Sequence, residues 1–286
     1  MANTSKVDSK TIRPGVKGGV QLQYLADNSG TTLKKQWVRP PLHLAKTYQD
    51  KSWAINLLTS PTAGLLEGDE LEIDCKVEAG AKAALISPAA CRVHTMDKGN
   101  ALIRQSYVVK EQATLDVWPA PLVLQKAANL IQETTLEVDS SSTVLLTEIV
   151  SPGRASYGES FDFHTWQSKL RIYQSGTLIA YENFKVDPEA GDASDWRTRF
   201  PDGPYVSLYY LTHKPVKELI EPLNQLSNEE VAIGASPLRT GGLGIKVLAQ
   251  DGLALRKSVL NIRELLVQHS EIEFPRSLQR AQTFFY

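Results

Sequence analysis

Three successive segments of this chain share one pattern, in which an alternating strand, a short polar turn and a second apolar strand follow one another. In ELEIDCKV, the first such strand, apolar and charged residues alternate, which is typical of a strand with one buried and one solvated face. An alignment of the three segments places Val77, Val109 and Val138 at one position, 32 and 29 residues apart. The small residues that follow the three turns also align, and they are Ala81, Ala113 and Ser142.

One such strand pair cannot bury its apolar face alone, so neighbouring copies must stack to complete a core. The sequence therefore predicts a mostly-β, layered body that is either a flattened sandwich or an irregular β-solenoid. We expect a flexible N-terminal segment over residues 1–19 and the layered, nearly helix-free β body over 20–212. A polar stretch rich in Pro, Gly and Asp predicts a loop over 188–203.

Beyond this body the periodicity becomes helical. Pro215 can occupy the first turn of one helix, which Pro222 shortens or kinks, and residues 253–268 carry the apolar stripe of a second helix. Two short apolar runs on either side of LRTGG predict a strand pair. Residues 213–286 are therefore expected to form a small α+β cap with about two helices, packed on the body as a single structural unit.

Charge and hydropathy exclude several classes of partner. The chain has 31 Lys and Arg against 32 Asp and Glu, so its net charge of −1 predicts neither nucleic-acid binding nor attraction to a membrane surface. The N-terminal residues are polar, and no run approaches the ~18 apolar residues that a membrane-spanning helix needs. We expect a soluble, cytoplasmic protein.

Motifs for catalysis or stable metal binding are not found in the sequence. No two of the five histidines lie within one helical turn of each other, and no G-x-S-x-G elbow occurs. Cys75 falls on the apolar phase of its strand and is predicted to be a core residue, while Cys91 and His94 form at most half of a metal site. The sequence predicts a protein that is not an enzyme and has no tightly bound cofactor.

Two segments place charged residues between Gly and Pro at the ends of predicted strands. The first carries Glu67 and Asp69, and the second, SPGRASYGESFDFH with the strand before it, carries Glu148, Arg154 and Glu159. A rigid β scaffold displays functional groups at such places. An ordinary turn stabilised by an Arg–Glu pair explains the second segment equally well.

These segments also carry a resemblance to a known family. SPTAGLLEGDELEI, GAKAALISPAACRVHT, TEIVSPGRASYGESFDF and GASPLRTGGLGIKVLAQDGLALRKSVLNIRELL together resemble the urease accessory proteins called UreD, or UreH in some bacteria. The resemblance implies a layered, mostly-β fold with a couple of C-terminal helices. It also implies a non-catalytic maturation factor that binds UreF and, through UreF, the nickel-carrying GTPase UreG. The assembly docks on apo-urease and assists nickel delivery, with the ion thought to pass through an internal polar passage.

An ion in transit needs sites that replace part of its hydration shell but still release it, so isolated oxygen donors suit a passage better than a four-ligand cage. We therefore expect transient Ni²⁺ contacts at Asp69, Glu148 and Glu159, with His94 as a further candidate. Arg154 is expected to orient a carboxylate or to contribute to docking.

Two other functions remain open at this point. A β-solenoid that binds or cleaves carbohydrate would align its tryptophans, Trp53, Trp118, Trp166 and Trp196, on one concave face beside a pair of carboxylates. A purely structural interaction protein, unrelated to nickel, would differ only in its partners.

Overall fold

The computed structural model describes residues 15–119 and 121–281, which form two β-sheets stacked face to face, with most of the helices on the outer side of one sheet. The strands, in chain order, are β1 (Lys17–Asp27), β2 (Gly30–Arg39), β3 (His43–Leu44), β4 (Tyr48–Asp50), β5 (Trp53–Thr59), β6 (Glu70–Val77), β7 (Lys82–Ile86), β8 (Cys91–Val93), β9 (Ala101–Val109), β10 (Thr114–Trp118), β11 (Leu122–Leu124), β12 (Asn129–Val138), β13 (Thr143–Ser151), β14 (Thr165–Gln174), β15 (Thr177–Val186), β16 (Tyr205–Leu211), β17 (Val231–Pro237) and β18 (Gly242–Ala249). The predicted mostly-β class is confirmed.

The two strands of each repeat lie in different sheets instead of pairing as a hairpin. The first sheet has the order β15-β14-β12-β9-β6-β1-β2, and the second has the order β17-β18-β16-β13-β10-β7-β5-β3, with β4, β8 and β11 at its margins. Strands β6, β9 and β12 are parallel neighbours in the first sheet, and β7, β10 and β13 are parallel neighbours in the second. Each repeat is thus one coil of a flattened solenoid, so both architectures left open by the sequence are present in one structure.

The register of the coils follows the alignment of the sequence repeats. Val77 pairs with Val109, and Val109 pairs with Val138. The turn residues stack in the same way, because the amide of Thr114 donates to the carbonyl of Ala81. In the first sheet the register is strongly specified, because a slip of one residue would turn its buried side chains toward solvent.

A large apolar core fills the space between the sheets. It includes Tyr24, Tyr107 and Trp166, none more than 2% exposed, together with Cys75, whose predicted core position is confirmed. Each fully buried large side chain contributes about 1.5–3 kcal/mol to folding. This core is interrupted by polar side chains near β13, where the candidate site lies.

A second core lies between the outer face of the second sheet and the three C-terminal helices. The helices are α1 (Ser194–Arg199), α2 (Lys217–Asn224), α3 (Gly252–Ser270) and α4 (Arg276–Ala281), with a 3₁₀ turn at Ala155–Tyr157. The two helices predicted in the C-terminal part are α2, with Pro222 inside it, and α3. Asp251 caps α3 by accepting a hydrogen bond from the amide of Ala254 at 2.8 Å. None of the helices in the described ranges is long and apolar enough to cross a membrane.

The body differs from the prediction at α1, since a short helix lies in the stretch that was expected to be a loop. Trp196 on α1 packs against Phe161 at a ring-centroid distance of 4.9 Å, and its indole N–H donates to the carbonyl of Gly203. One aromatic anchor thus stabilises a helix that has no apolar periodicity in the sequence.

The two sheets extend across both predicted domain boundaries, at residues 19/20 and 212/213. Strand β1 begins at Lys17, so three residues assigned to the N-terminal segment belong to the first sheet, and residues 1–14 lie outside the described residues. The predicted strand pair is β17–β18, and β18 pairs antiparallel with β16. The C-terminal part therefore continues the second sheet of the body.

Candidate functional site

A cavity of about 140 Å³ lies between the two sheets. Its rim is formed by β8 and the loops that follow β5, β7 and β10, where Thr62, Ala63, Ala89 and Arg92 are exposed. Its inner wall consists of inward-facing strand residues, most of them apolar. Three polar side chains interrupt this wall, and they are Gln105 on β9, Gln132 on β12 and Glu148 on β13.

Glu148 is 7% exposed and is held by three donors from the facing sheet. Its Oε1 atom accepts from Thr134 Oγ1 at 2.6 Å, Gln132 Nε2 at 2.9 Å and, more weakly, Gln105 Nε2 at 3.4 Å. Burial raises the pKa of Glu148, while the hydrogen bonds and the charge of Lys246 oppose the increase. The carboxylate is thus fixed in position at the inner wall of the cavity.

Gln132 has an unsatisfied acceptor beside this carboxylate. Its side chain is 3% exposed, and its Oε1 atom has no hydrogen-bond partner among the described residues. A buried acceptor without a donor costs about 1–3 kcal/mol. A carboxylate and an unpaired amide oxygen thus lie side by side at the inner wall of the cavity, which suits a ligand that carries positive charge or donates hydrogen bonds.

A row of polar residues continues from Glu148 across the second sheet. Glu148 lies opposite Ser207 on β16, and Ser207 lies opposite Lys246 on β18. The Nζ atom of Lys246 donates to Ser207 Oγ at 2.7 Å, to Tyr209 OH at 2.8 Å and to Glu182 Oε2 at 2.7 Å on the facing edge strand β15. Burial lowers the pKa of Lys246, and the Glu182 carboxylate opposes this change.

Asp69 and His94 hold the loop that precedes β6. The carboxylate of Asp69 is buried and accepts the amides of Val16 at 2.7 Å and Leu66 at 2.8 Å. His94 is half-buried, and its Nε2 atom lies 2.9 Å from the carbonyl oxygen of Ala63 at the rim. Both side chains thus support the rim of the cavity without lining it.

Arg154 and Glu159 form an ion pair in the loop after β13. Arg154 Nε donates to Glu159 Oε2 at 2.8 Å, and its second nitrogen donates to Oε1, which lowers the pKa of Glu159. The guanidinium also lies 4.7 Å from the ring centroid of Tyr157, which is 75% exposed. The loop is tight at Gly153, where a Cβ atom would lie 2.2 Å from the carbonyl oxygen of Glu159.

Of the five residues selected from the sequence, Glu148 lines the cavity, and the other four lie outside its lining. No group of three or more His, Cys, Asp or Glu side chains in the described part of the chain could hold a metal ion together. Cys91 lines the cavity near the rim, and burial raises the pKa of its thiol to about 11, with Asp69 adding to the increase.

The polar residues missed by sequence reasoning carried a detectable signal. Gln105 and Gln132 occupy the inward phase of strands that carry apolar residues at neighbouring inward positions, such as Ile103 and Leu130. Lys246 is the exception, because it lies on the phase of β18 opposite to Leu243, Ile245 and Val247. A polar residue at a position that the alternation predicts to be buried is costly without a partner, so Gln105 and Gln132 indicate a buried polar network.

The four tryptophans named for carbohydrate binding do not form the exposed platform that it would require. Trp53, Trp118 and Trp166 are at most 5% exposed, and Trp196 is half-buried against the core between the two sheets. Trp53 and Trp118 belong to the core between the second sheet and the helices, whereas Trp166 belongs to the core between the two sheets. The arrangement of these side chains does not favour the carbohydrate interpretation.

Comparison with known proteins gives one consistent result. The family model described as UreD urease accessory protein matches residues 16–280. The urease accessory protein UreD of Opitutus terrae is 31% identical over 252 residues, which cover 86% of this chain and 90% of that protein. UreD of Haemophilus influenzae is 30% identical over 263 residues, with coverage of 85% and 95%. The urease accessory protein UreH of Helicobacter hepaticus is 29% identical over 161 residues, with coverage of 56% and 64%.

Proposed function

This chain belongs to the UreD family of urease accessory proteins, and from this premise we propose that it is a non-catalytic scaffold that assists nickel delivery to apo-urease. In this proposal the chain acts in the cytoplasm and binds apo-urease and UreF directly. The GTPase UreG joins through UreF and performs the hydrolysis. The two stacked sheets supply the rigid framework that such an assembly needs, and the support for the partners is the family resemblance.

The observation that carries the nickel proposal is Glu148 on the inner wall of the cavity, beside the unpaired amide oxygen of Gln132. A carboxylate and an amide oxygen can replace part of the hydration shell of Ni²⁺. They cannot hold the ion as thiolate or imidazole clusters do, because divalent nickel binds nitrogen and sulfur ligands strongly. Such a site suits an ion that must be released again, so we assign it to an internal polar passage.

The other predicted residues receive supporting roles in this proposal. Asp69 and His94 shape the loop at the rim, where the ion would pass between solvent and cavity. The Arg154–Glu159 pair holds a loop that displays the exposed Tyr157, which suits docking of a partner. Glu159 also remains a candidate for a transient ion contact at the surface.

The test is reconstitution of apo-urease with nickel, bicarbonate, UreF, UreG and GTP, with and without this chain. We expect urease activity to depend on the chain. Glu148→Gln should retain binding to UreF and apo-urease in pull-down experiments but lower the activation rate, and Glu159→Ala should lower activation less. Glu137→Gln is the matched control, because Glu137 is exposed on the same strand as Gln132.

The outcomes separate the parts of the proposal. Urease activation that does not depend on the chain would refute the maturation role. Normal activation by Glu148→Gln would refute the assignment of the passage to this cavity, while leaving the scaffold role in place.

A further inference from the structure

Lys246 is a fixed cation in the same polar row as Glu148. Two strand spacings of about 4.8 Å separate the backbones of these residues, and the residue between them is Ser207. The Lys246 ammonium bonds to Ser207 Oγ at 2.7 Å, so its charge lies beside the residue that separates Lys246 from Glu148 in the row.

The ammonium is fully bonded where it lies. A lysine has three N–H donors, and those of Lys246 meet Glu182, Ser207 and Tyr209, while its nitrogen lies 4.7 Å from the centroid of the Tyr209 ring. The Lys246–Glu182 pair also spans the gap between the sheets at the β15 edge. Of these two charges, Lys246 acts more strongly on the Glu148 carboxylate.

We propose that Lys246 is a tethered counter-cation that weakens divalent-cation binding at Glu148 and thereby keeps a bound ion exchangeable. The inference rests on the proposed role of the cavity in nickel transfer. At a separation of about two strand spacings, roughly 10 Å, in a partly buried site, one positive charge repels a divalent ion strongly enough to raise the Kd of the ion by at least about tenfold.

The test measures Ni²⁺ affinity of the full chain by competition with a colorimetric chelator. For each protein, the Glu148-dependent component is the Ni²⁺ binding that is lost when the substitution Glu148→Gln is added. Lys246→Met should lower the Kd of this component by at least about tenfold, whereas Lys246→Arg, which retains the charge, should stay near the wild-type value. In reconstitution at limiting nickel, Lys246→Met should slow urease activation because the ion is released more slowly.

Glu182→Gln distinguishes an electrostatic role from a structural one. It breaks the bridge between the sheets but keeps the lysine charge, so its Kd should be unchanged or higher. If Lys246 had only a structural role in joining the sheets, Lys246→Met and Glu182→Gln would have similar effects on thermal stability. Neither variant would then bind Ni²⁺ more tightly than the wild type. Lys246→Gln replaces the Met variant if circular dichroism shows that the latter is unfolded.

A Kd for Lys246→Met equal to or higher than the wild-type value, or no Glu148-dependent Ni²⁺ binding in either protein, would overturn the inference. Failure of the proposed function is measured separately, as urease activation that does not depend on the wild-type chain.

Discussion

The guanidinium of Arg263 on α3 donates to both carboxylate oxygens of Asp116 on β10, from Nη1 to Oδ1 at 3.0 Å and from Nη2 to Oδ2 at 2.5 Å. Both side chains are 3% exposed, and the guanidinium lies 4.2 Å from the centroid of the Trp118 ring. This pair attaches the longest helix to the outer face of the second sheet, on the side opposite the cavity.

Removal of one partner of this pair should be strongly destabilising. Asp116→Ala or Arg263→Ala leaves a buried charge without its counter-charge, and we expect a loss of about 3–5 kcal/mol in the free energy of unfolding. The measurement is urea denaturation followed by circular dichroism. An apolar pair, Asp116→Leu with Arg263→Met, is the control and should recover most of the loss. A loss below about 1 kcal/mol in the single variants would contradict this account of how α3 is attached.

The thiol of Cys91 should react slowly despite its position near the cavity rim. Burial raises its pKa to about 11, so the thiolate fraction at pH 8 is roughly 100-fold lower than for a thiol with a pKa near 9. We expect iodoacetamide labelling of the native protein to rise about tenfold per pH unit from pH 7 to 10, as measured by mass spectrometry. In denaturant the rate should level off near pH 9. Cys75, whose pKa is raised to about 12, is the internal reference and should label more slowly still. A plateau below pH 9 in the native protein would show that the Cys91 thiolate is not desolvated.

Gly64 is required at the rim of the cavity. Its φ of +135° is unfavourable for other residues, and a Cβ atom there would lie 2.2 Å from the carbonyl oxygen of Arg92, which accepts the amide of Leu65. Gly64→Ala should therefore lower stability by about 2 kcal/mol or more and should reduce urease activation. Gly176→Ala is the control for backbone strain alone, because Gly176 has a φ of +80° but no atom lies within 4 Å of the position that the new methyl group would occupy. Equal losses for the two variants would mean that the contact with Arg92 is unimportant.

The Arg154–Glu159 pair should order its loop without stabilising the whole protein. Surface ion pairs contribute little to global stability, so Glu159→Gln should leave the urea midpoint unchanged. It should increase amide hydrogen exchange at Tyr157 and Gly158, whose amides bond to carbonyls within the loop. Because the pair lowers the pKa of Glu159, protection in the wild type should persist above pH 4.5 and be lost as the pH falls below that value. Unchanged exchange in the variant would show that backbone hydrogen bonds alone order the loop.

Much of the fold could be predicted because the repeat has a physical cause. Alternation in β6, β9 and β12 marks the buried face of the first sheet, and the aligned valines are cross-strand partners. The same alternation could have identified Gln105 and Gln132 as buried polar residues. It could not assign the face of Glu148, because eight of the nine residues of β13 are buried and its two sides look alike in sequence.

The sequence by itself determined the strand repeat, its register and the family, since these depend on local periodicity and on residues in order along the chain. Only the tertiary structure decided that the strands of one repeat belong to different sheets, and that Glu148 faces Gln132 and shares a row with Lys246. The tertiary structure also shows that Asp69, His94 and Glu159 lie outside the cavity lining. The reason is that these relationships join strands distant in sequence, and hydrogen bonding across sheets leaves no periodic trace in a single chain.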